Sequence, residues 1–137
     1  MTAKEYLQQY RIAYREAQDT EIRMAQIRLK YGSPSAIEYD DMPKAHNTEH
    51  DLSDYIVQMD ELTNHLISKY SRCMGIEADI LERIDSMQNQ EEREVLRLRY
   101  IDGYTWEQIA QRISTTLRNV YYIHGRALQH FPLPESQ

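Results

Sequence analysis

Cysteine, glycine and proline are scarce in this chain, and each scarcity removes a class of fold. Cys73 is the one cysteine among 137 residues, so no internal disulfide can form and a secreted disulfide scaffold is excluded. Glycine and proline number four each and fall at Gly32, Pro34, Pro43, Gly75, Gly103, Gly125, Pro132 and Pro134. Long stretches therefore carry no breaker, which favours helices over a turn-rich β fold. No run approaches the ~18 apolar residues of a membrane span, and the N-terminus lacks the apolar core of a signal peptide. The expected compartment is the cytoplasm. A Gly-rich phosphate loop, a Ser/His/Asp spacing and a paired-carboxylate pocket are also missing, so neither an enzyme nor a cofactor is expected.

What is present is charge, and it is segregated. The chain carries 16 Lys and Arg against 22 Asp and Glu, for a formal net charge of −6. Residues 1–87 hold 16 acids and 10 bases and so carry the whole −6, while residues 88–137 hold six of each. From Gln111 to Pro134 there is no acid, but Arg112, Arg118, His124, Arg126 and His130 are there. A net-acidic protein thus ends in a stretch able to face a polyanion.

Apolar residues recur at helical spacing through the first two thirds. Thr2-Ala3-Lys4-Glu5 has the form of a capping box. Tyr6, Leu7, Tyr10, Ala13, Tyr14, Ala17, Met24, Ile27 and Tyr31 then form one stripe, ended by Gly32 with Pro34 beyond. A helix of about 28 residues spans roughly 42 Å. Gly32 to Asn47, with two prolines and Asp40-Asp41, reads as a loop. A second helix starts near Asn47 or Thr48. Its stripe of Leu52, Tyr55, Ile56, Met59, Leu62, Leu66, Tyr70 and Cys73 has nearly a coiled-coil rhythm. The stripe resumes after Gly75 with Ile76, Ile80, Ile84 and Met87, which predicts a boundary or bend at Gly75, with Ile76–Met87 docking onto the C-terminal module. Cys73 reads as a small core residue. A divalent site from Asp40, Asp41, His46, Glu49 and His50 is disfavoured, because half of it would lie in a proline-containing loop, and no metal is expected.

The last third has the pattern of a helix-turn-helix. After Gln88-Asn89-Gln90, acids at Glu91, Glu92 and Glu94 suit the positive end of a helix whose core side is Val95, Leu96, Leu98 and Ile101. Asp102-Gly103-Tyr104 breaks it. Thr105 caps a short helix, Trp106 to Ile113, with Trp106, Ile109, Ala110 and Ile113 as its buried side. Ser114-Thr115-Thr116 forms the turn, and a last helix runs from Leu117 to about His130 with Val120, Ile123, Ala127 and Leu128 inward. Two helices joined in this way place the second in a DNA major groove. Leu117, Arg118, Asn119, Tyr121 and Tyr122 then point outward. Arg can bridge guanine, Asn can pair with adenine, and Tyr can reach phosphate or a thymine methyl. No acid stands close in sequence to oppose the DNA charge.

Glu92 to Tyr100, then Gly103 to Ala110, then Val120 and Arg126-Ala127-Leu128 resemble region four of bacterial sigma factors. The resemblance implies a module that reads promoter DNA and touches RNA polymerase. The whole chain, with its Tyr121 to Leu128 ending, is similar to small phage-encoded and prophage-encoded regulators that join such a module to a helical hairpin. Carried over by position, Leu117, Arg118, Asn119, Tyr121 and Tyr122 would face bases, while Arg99 and Thr116 would hold phosphates. Ser114 stands where glycine is usual, Arg112 where an aliphatic is common, and the reading helix has fewer cations than a housekeeping sigma factor. Nothing resembles the sigma region that melts promoters. An activator or accessory binder is thus expected rather than a complete sigma factor.

These readings predict an all-α protein: residues 1–87 as a long antiparallel helical hairpin for dimerisation or partner binding, and 88–137 as a helix-turn-helix bundle. The expected partners are double-stranded DNA, RNA polymerase of a bacterial host and a second copy of the chain, with no membrane. Two alternatives stay open. One is a small terminase-like packaging subunit that binds DNA as a ring. The other is an interaction protein that grips polymerase or a sigma factor without binding DNA.

Overall fold

The computed structural model of the chain describes residues 1–31 and 48–135. The described residues hold five α-helices and no strand: α1 (Ala3–Tyr31), α2 (Thr48–Asp85), α3 (Gln90–Leu96), α4 (Trp106–Arg112) and α5 (Leu117–His130). A π-helical turn, Arg97–Ile101, continues α3. The all-α expectation holds. The loop read at Gly32–Asn47 lies outside the described residues, and so do the side chains of the disfavoured metal set.

α1 starts where its capping box predicts. The Glu5 amide donates to Thr2 Oγ1 at 3.2 Å and the Thr2 amide donates to Glu5 Oε2 at 3.0 Å. α2 passes Gly75 without a break in the helix, while the boundary expected near Gly75 falls between Ser71 and Arg72, where one compact unit gives way to the other. A Cβ at Gly75 would meet nothing within 4 Å, so no close contact demands glycine there. A single helical glycine costs about 1 kcal/mol but leaves the hydrogen-bond ladder whole, which packing overrides.

The chain forms two compact units, one joining Met1–Ala13 to the chain from Arg72 onward, the other Tyr14–Ser71. The unit that holds the helix-turn-helix also takes in Met1–Ala13 and the end of α2, where Ile76–Met87 were expected to dock.

Within Tyr14–Ser71, α1 and α2 run antiparallel. The Tyr14 and Tyr70 rings lie 6.5 Å apart at one end and Tyr31 and Tyr55 6.1 Å apart at the other. Lys69 Nζ donates to Thr20 Oγ1 at 2.9 Å between them. Among the described residues of this unit only Ala17 and Thr20 are buried. Met59, Leu62, Leu66 and Tyr70 on the seam are half-buried.

The other unit is densely packed. Leu7, Ile80 and Ile84 are fully buried, and each contributes about 2–3 kcal/mol by leaving water. The Tyr6 hydroxyl donates to Asp79, whose carboxylate also accepts from Arg83 Nε at 3.0 Å. Arg83 Nη1 reaches the Pro132 carbonyl at 2.9 Å, and the Tyr6 ring packs 5.9 Å from Phe131. The start of α1 and the end of α2 are thereby tied to the chain just after α5. Cys73 is buried, as a small core residue should be. No helix among the described residues is long and apolar enough to cross a membrane.

Candidate nucleic-acid interface

Local chemistry sets the ends of the three C-terminal helices. Asn89 caps α3, its Oδ1 accepting from the Glu92 amide at 3.0 Å. Thr105 and Gln108 form a capping box at α4, and Thr116 Oγ1 accepts from the Asn119 amide at 3.1 Å at the start of α5. Each cap satisfies a donor that the helix itself leaves orphaned. The breaks are equally specific. Gly103 has φ +76°, and Ser114 in the turn between α4 and α5 has φ +56°. Ser114, standing where glycine is usual, has taken the left-handed conformation that glycine would adopt more cheaply.

Val95, Leu98, Ile109, Ala110, Val120 and Ile123 form one core that holds α4 and α5 against α3 and its π turn. Trp106 and Leu128, read as core, are only half-buried. Trp106 packs against this core from the edge of the module. The Arg99 guanidinium sits over its ring at 4.3 Å, and its ring meets His124 at 4.6 Å and Tyr121 at 5.5 Å, both edge to face. The Tyr100 hydroxyl and His124 Nε2 share a 2.7 Å hydrogen bond. The π turn brings Arg99 and Tyr100 to these partners; its extra backbone width has no signal in Arg97-Leu98-Arg99-Tyr100-Ile101.

Arg118, Tyr121 and Tyr122 are exposed on the side of α5 opposite Val120, Ile123 and Ala127, so the structure brings these three expected residues onto one face. Gly125 lies on the same face, and a Cβ there would meet nothing. Sequence reasoning missed it, although an exposed glycine inside a helix is itself a signal, since it costs about 1 kcal/mol against alanine. Leu117 is half-buried on the α4 side. Asn119 is exposed on the other flank, its Nδ2 donating to Thr115 Oγ1 at 2.9 Å. Thr116 is exposed but its hydroxyl is engaged as the cap. Arg99 stands apart from this face, half-buried, donating to the Tyr104 carbonyl at 3.1 Å as well as covering Trp106.

The electrostatics differ from the linear reading in two respects. Burial, aided by the charges of Lys4 and Arg99, pushes the His124 imidazole down to about 4, so it is neutral near pH 7 and supplies no cation. His130 Nδ1 is held by the buried Glu92 carboxylate, at 2.5 and 3.2 Å from its two oxygens. The arginines of the acid-free stretch, Arg112, Arg118 and Arg126, are exposed. Acids distant in sequence also come close, because Glu91 and Glu94 of α3 line the same shallow depression as Arg112 and Asn119. Three-dimensional packing thus puts two carboxylates beside one flank of the reading helix.

A capped short helix, a left-handed turn residue and an exposed Arg/Tyr face on the following helix define a helix-turn-helix. The family model described as sigma-70, region 4 matches residues 80–131, from the last turns of α2 to Phe131. Those residues therefore carry a sigma-70 region 4-like helix-turn-helix, a DNA-binding domain, which supports a DNA-binding regulatory role. No curated protein and no solved structure matches the chain significantly.

Proposed function

We propose that this protein is a sequence-specific DNA-binding regulator of transcription, encoded by a phage or prophage and acting with the host RNA polymerase. The observation that carries the reading is the exposed Arg118, Tyr121 and Tyr122 face of α5 within the region matched to sigma-70 region 4. On this reading Arg118 bridges a guanine in the major groove, Tyr121 and Tyr122 touch backbone or thymine methyls, and the α5 N-terminus capped by Thr116 attracts a phosphate. Asn119 reads adenine after releasing Thr115, and Leu117 packs on the base edge beside it. Arg99 holds a phosphate only if it leaves Trp106, so its first task is to support that ring. Residues 1–87 serve as the dimerisation or partner-binding region, and 88–137 as the reading module. The chemistry is binding, with no catalytic step and no cofactor.

The test is selection from random duplexes by the purified full chain across a salt series. Enrichment of a motif, with affinity falling steeply as salt rises, is expected. A second reading draws on Glu91 and Glu94 beside the reading helix and on the module's zero net charge. In it the module grips polymerase. Capture of polymerase with no salt-dependent DNA affinity would replace the first reading by the second.

A further inference from the structure

Among the described residues of unit Tyr14–Ser71, one face of α2 is left without a partner. Leu52, Ile56, Val57 and Ile67 of α2 are exposed at 55, 51, 55 and 60%. At 100° per residue they share an arc of about 140°, beside the half-buried seam that meets α1. Within that arc, between Leu52 and Ser71, the other outward side chains are small or uncharged except Asp60. Ser53, Thr63, Asn64 and Ser71 share the arc as uncharged polar groups, while Asp54, Gln58, Glu61 and His65 lie elsewhere on the helix. The exposed apolar residues of α1 in the unit, Ile22 and Leu29, have charged neighbours in Glu21, Arg23, Arg28 and Lys30, and are ordinary scattered surface residues.

We infer that this face of α2 is a self-association surface and that its occupant is the same face of a second copy of the chain, the two hairpins forming a four-helix bundle. The inference rests on the reading of the N-terminal helices as an association region. Two observations select the second copy. The unit is an unfinished core: only Ala17 and Thr20 are buried among its described residues, and the seam residues Leu62, Leu66 and Tyr70 are half-covered. A two-helix hairpin so thinly packed needs cover along its length, and another hairpin supplies it. The charge pattern agrees. In a chain whose first 87 residues carry −6, a like-to-like contact is strongly repelled unless the touching faces are nearly uncharged, and this arc holds one acid. A basic partner would instead be met by acids on the contact face. The strip from Leu52 to Ser71 is about 30 Å long, enough for helix pairs to approach the roughly 800 Å² a side of a stable interface.

Sedimentation velocity on the full chain, over a concentration series, tests it. The expected result is a species of twice the 16.4 kDa chain mass, with Ile56→Glu and Ile67→Glu each raising the dimer dissociation constant by at least about tenfold. Both residues are already exposed, so circular dichroism is expected to show unchanged helix content; Gln58→Lys, on the opposite arc, is expected to keep the dimer. A wild-type chain that stays monomeric at every concentration overturns the inference, as does a dimer that survives both Ile substitutions with its helices intact. A larger ring overturns it too. DNA selection with the same protein is read separately: a monomer that still enriches a motif leaves the regulator reading standing, and a dimer without DNA affinity does the reverse.

Discussion

The helix-turn-helix and the antiparallel hairpin are built from the same kinds of residue but finished to different degrees. In the first, Val95, Ile109 and Val120 are fully buried, every short helix has a side-chain cap, and Ser114 accepts a left-handed backbone to make the turn. In the second, α1 and α2 meet along tyrosines and half-buried leucines, with Ala17 and Thr20 alone fully inside among the described residues. The contrast separates two ways a sequence can use an apolar stripe. A module that must hold one geometry closes its own core. A helix pair that leaves its seam half-covered has apolar surface to spare.

The sharpest way to break that contrast is a matched pair of truncations. Ile109→Ala is expected to cost about 2–5 kcal/mol of unfolding free energy, since it opens a cavity in a closed core. Leu62→Ala on the half-covered seam is expected to cost less than half as much in dilute monomer. Urea melts of the two variants decide; equal losses would mean that the hairpin is as well packed as the reading module.

Acid should act through the finished region. His124 has its pKa lowered from 6.5 to about 4, so the stability it confers is fully present above pH 6.5 and is lost as pH falls toward 4. Because the ring is partly open to solvent, the amount is on the order of 2 kcal/mol rather than the full value of the shift. Wild type should lose more stability between pH 7 and pH 5 than His124→Gln does. Parallel pH profiles for the two proteins would remove His124 as the cause.

On DNA, Arg118→Ala is expected to cost about 1–3 kcal/mol and to relax preference at one base pair. A uniform loss across all sequences would move Arg118 to a phosphate contact. The smallest effect concerns the turn. Ser114→Gly is expected to stabilise the module by a few tenths to about 1 kcal/mol, because relief of the positive φ slightly exceeds glycine's extra unfolded-state freedom. A lower melting temperature for that variant would show that the Ser114 side chain contributes more than its backbone costs.

Much of the architecture was legible along the chain, where the signal is local. Thr2, Thr105 and Thr116 cap helices where their spacing to Glu5, Gln108 and Asn119 says they should. Asp102-Gly103-Tyr104 breaks the chain because Gly103 adopts φ +76°. The outward face of the reading helix followed from the periodicity of Val120, Ile123 and Ala127. What misled was distance in sequence: Glu91 and Glu94 stand more than twenty residues from Asn119 yet line its depression. Gly75 marked a boundary but not a break: α2 runs through it, and the two units part nearby, between Ser71 and Arg72.

The sequence by itself determined the helices, their caps, the breaks and the charge segregation, because hydrogen-bonding side chains and apolar periods act within a few residues. Only the tertiary structure decided which cations remain on the surface. It half-buried His124 beside Tyr100 and Trp106, set the exposed His130 against Glu92, and laid Arg99 over an indole, with Arg112, Arg118 and Arg126 outward. It alone decided, too, that Met1–Ala13 joins the C-terminal module rather than the hairpin. Burial and through-space charge depend on which elements meet, and that is a property of the packed chain rather than of any segment in it.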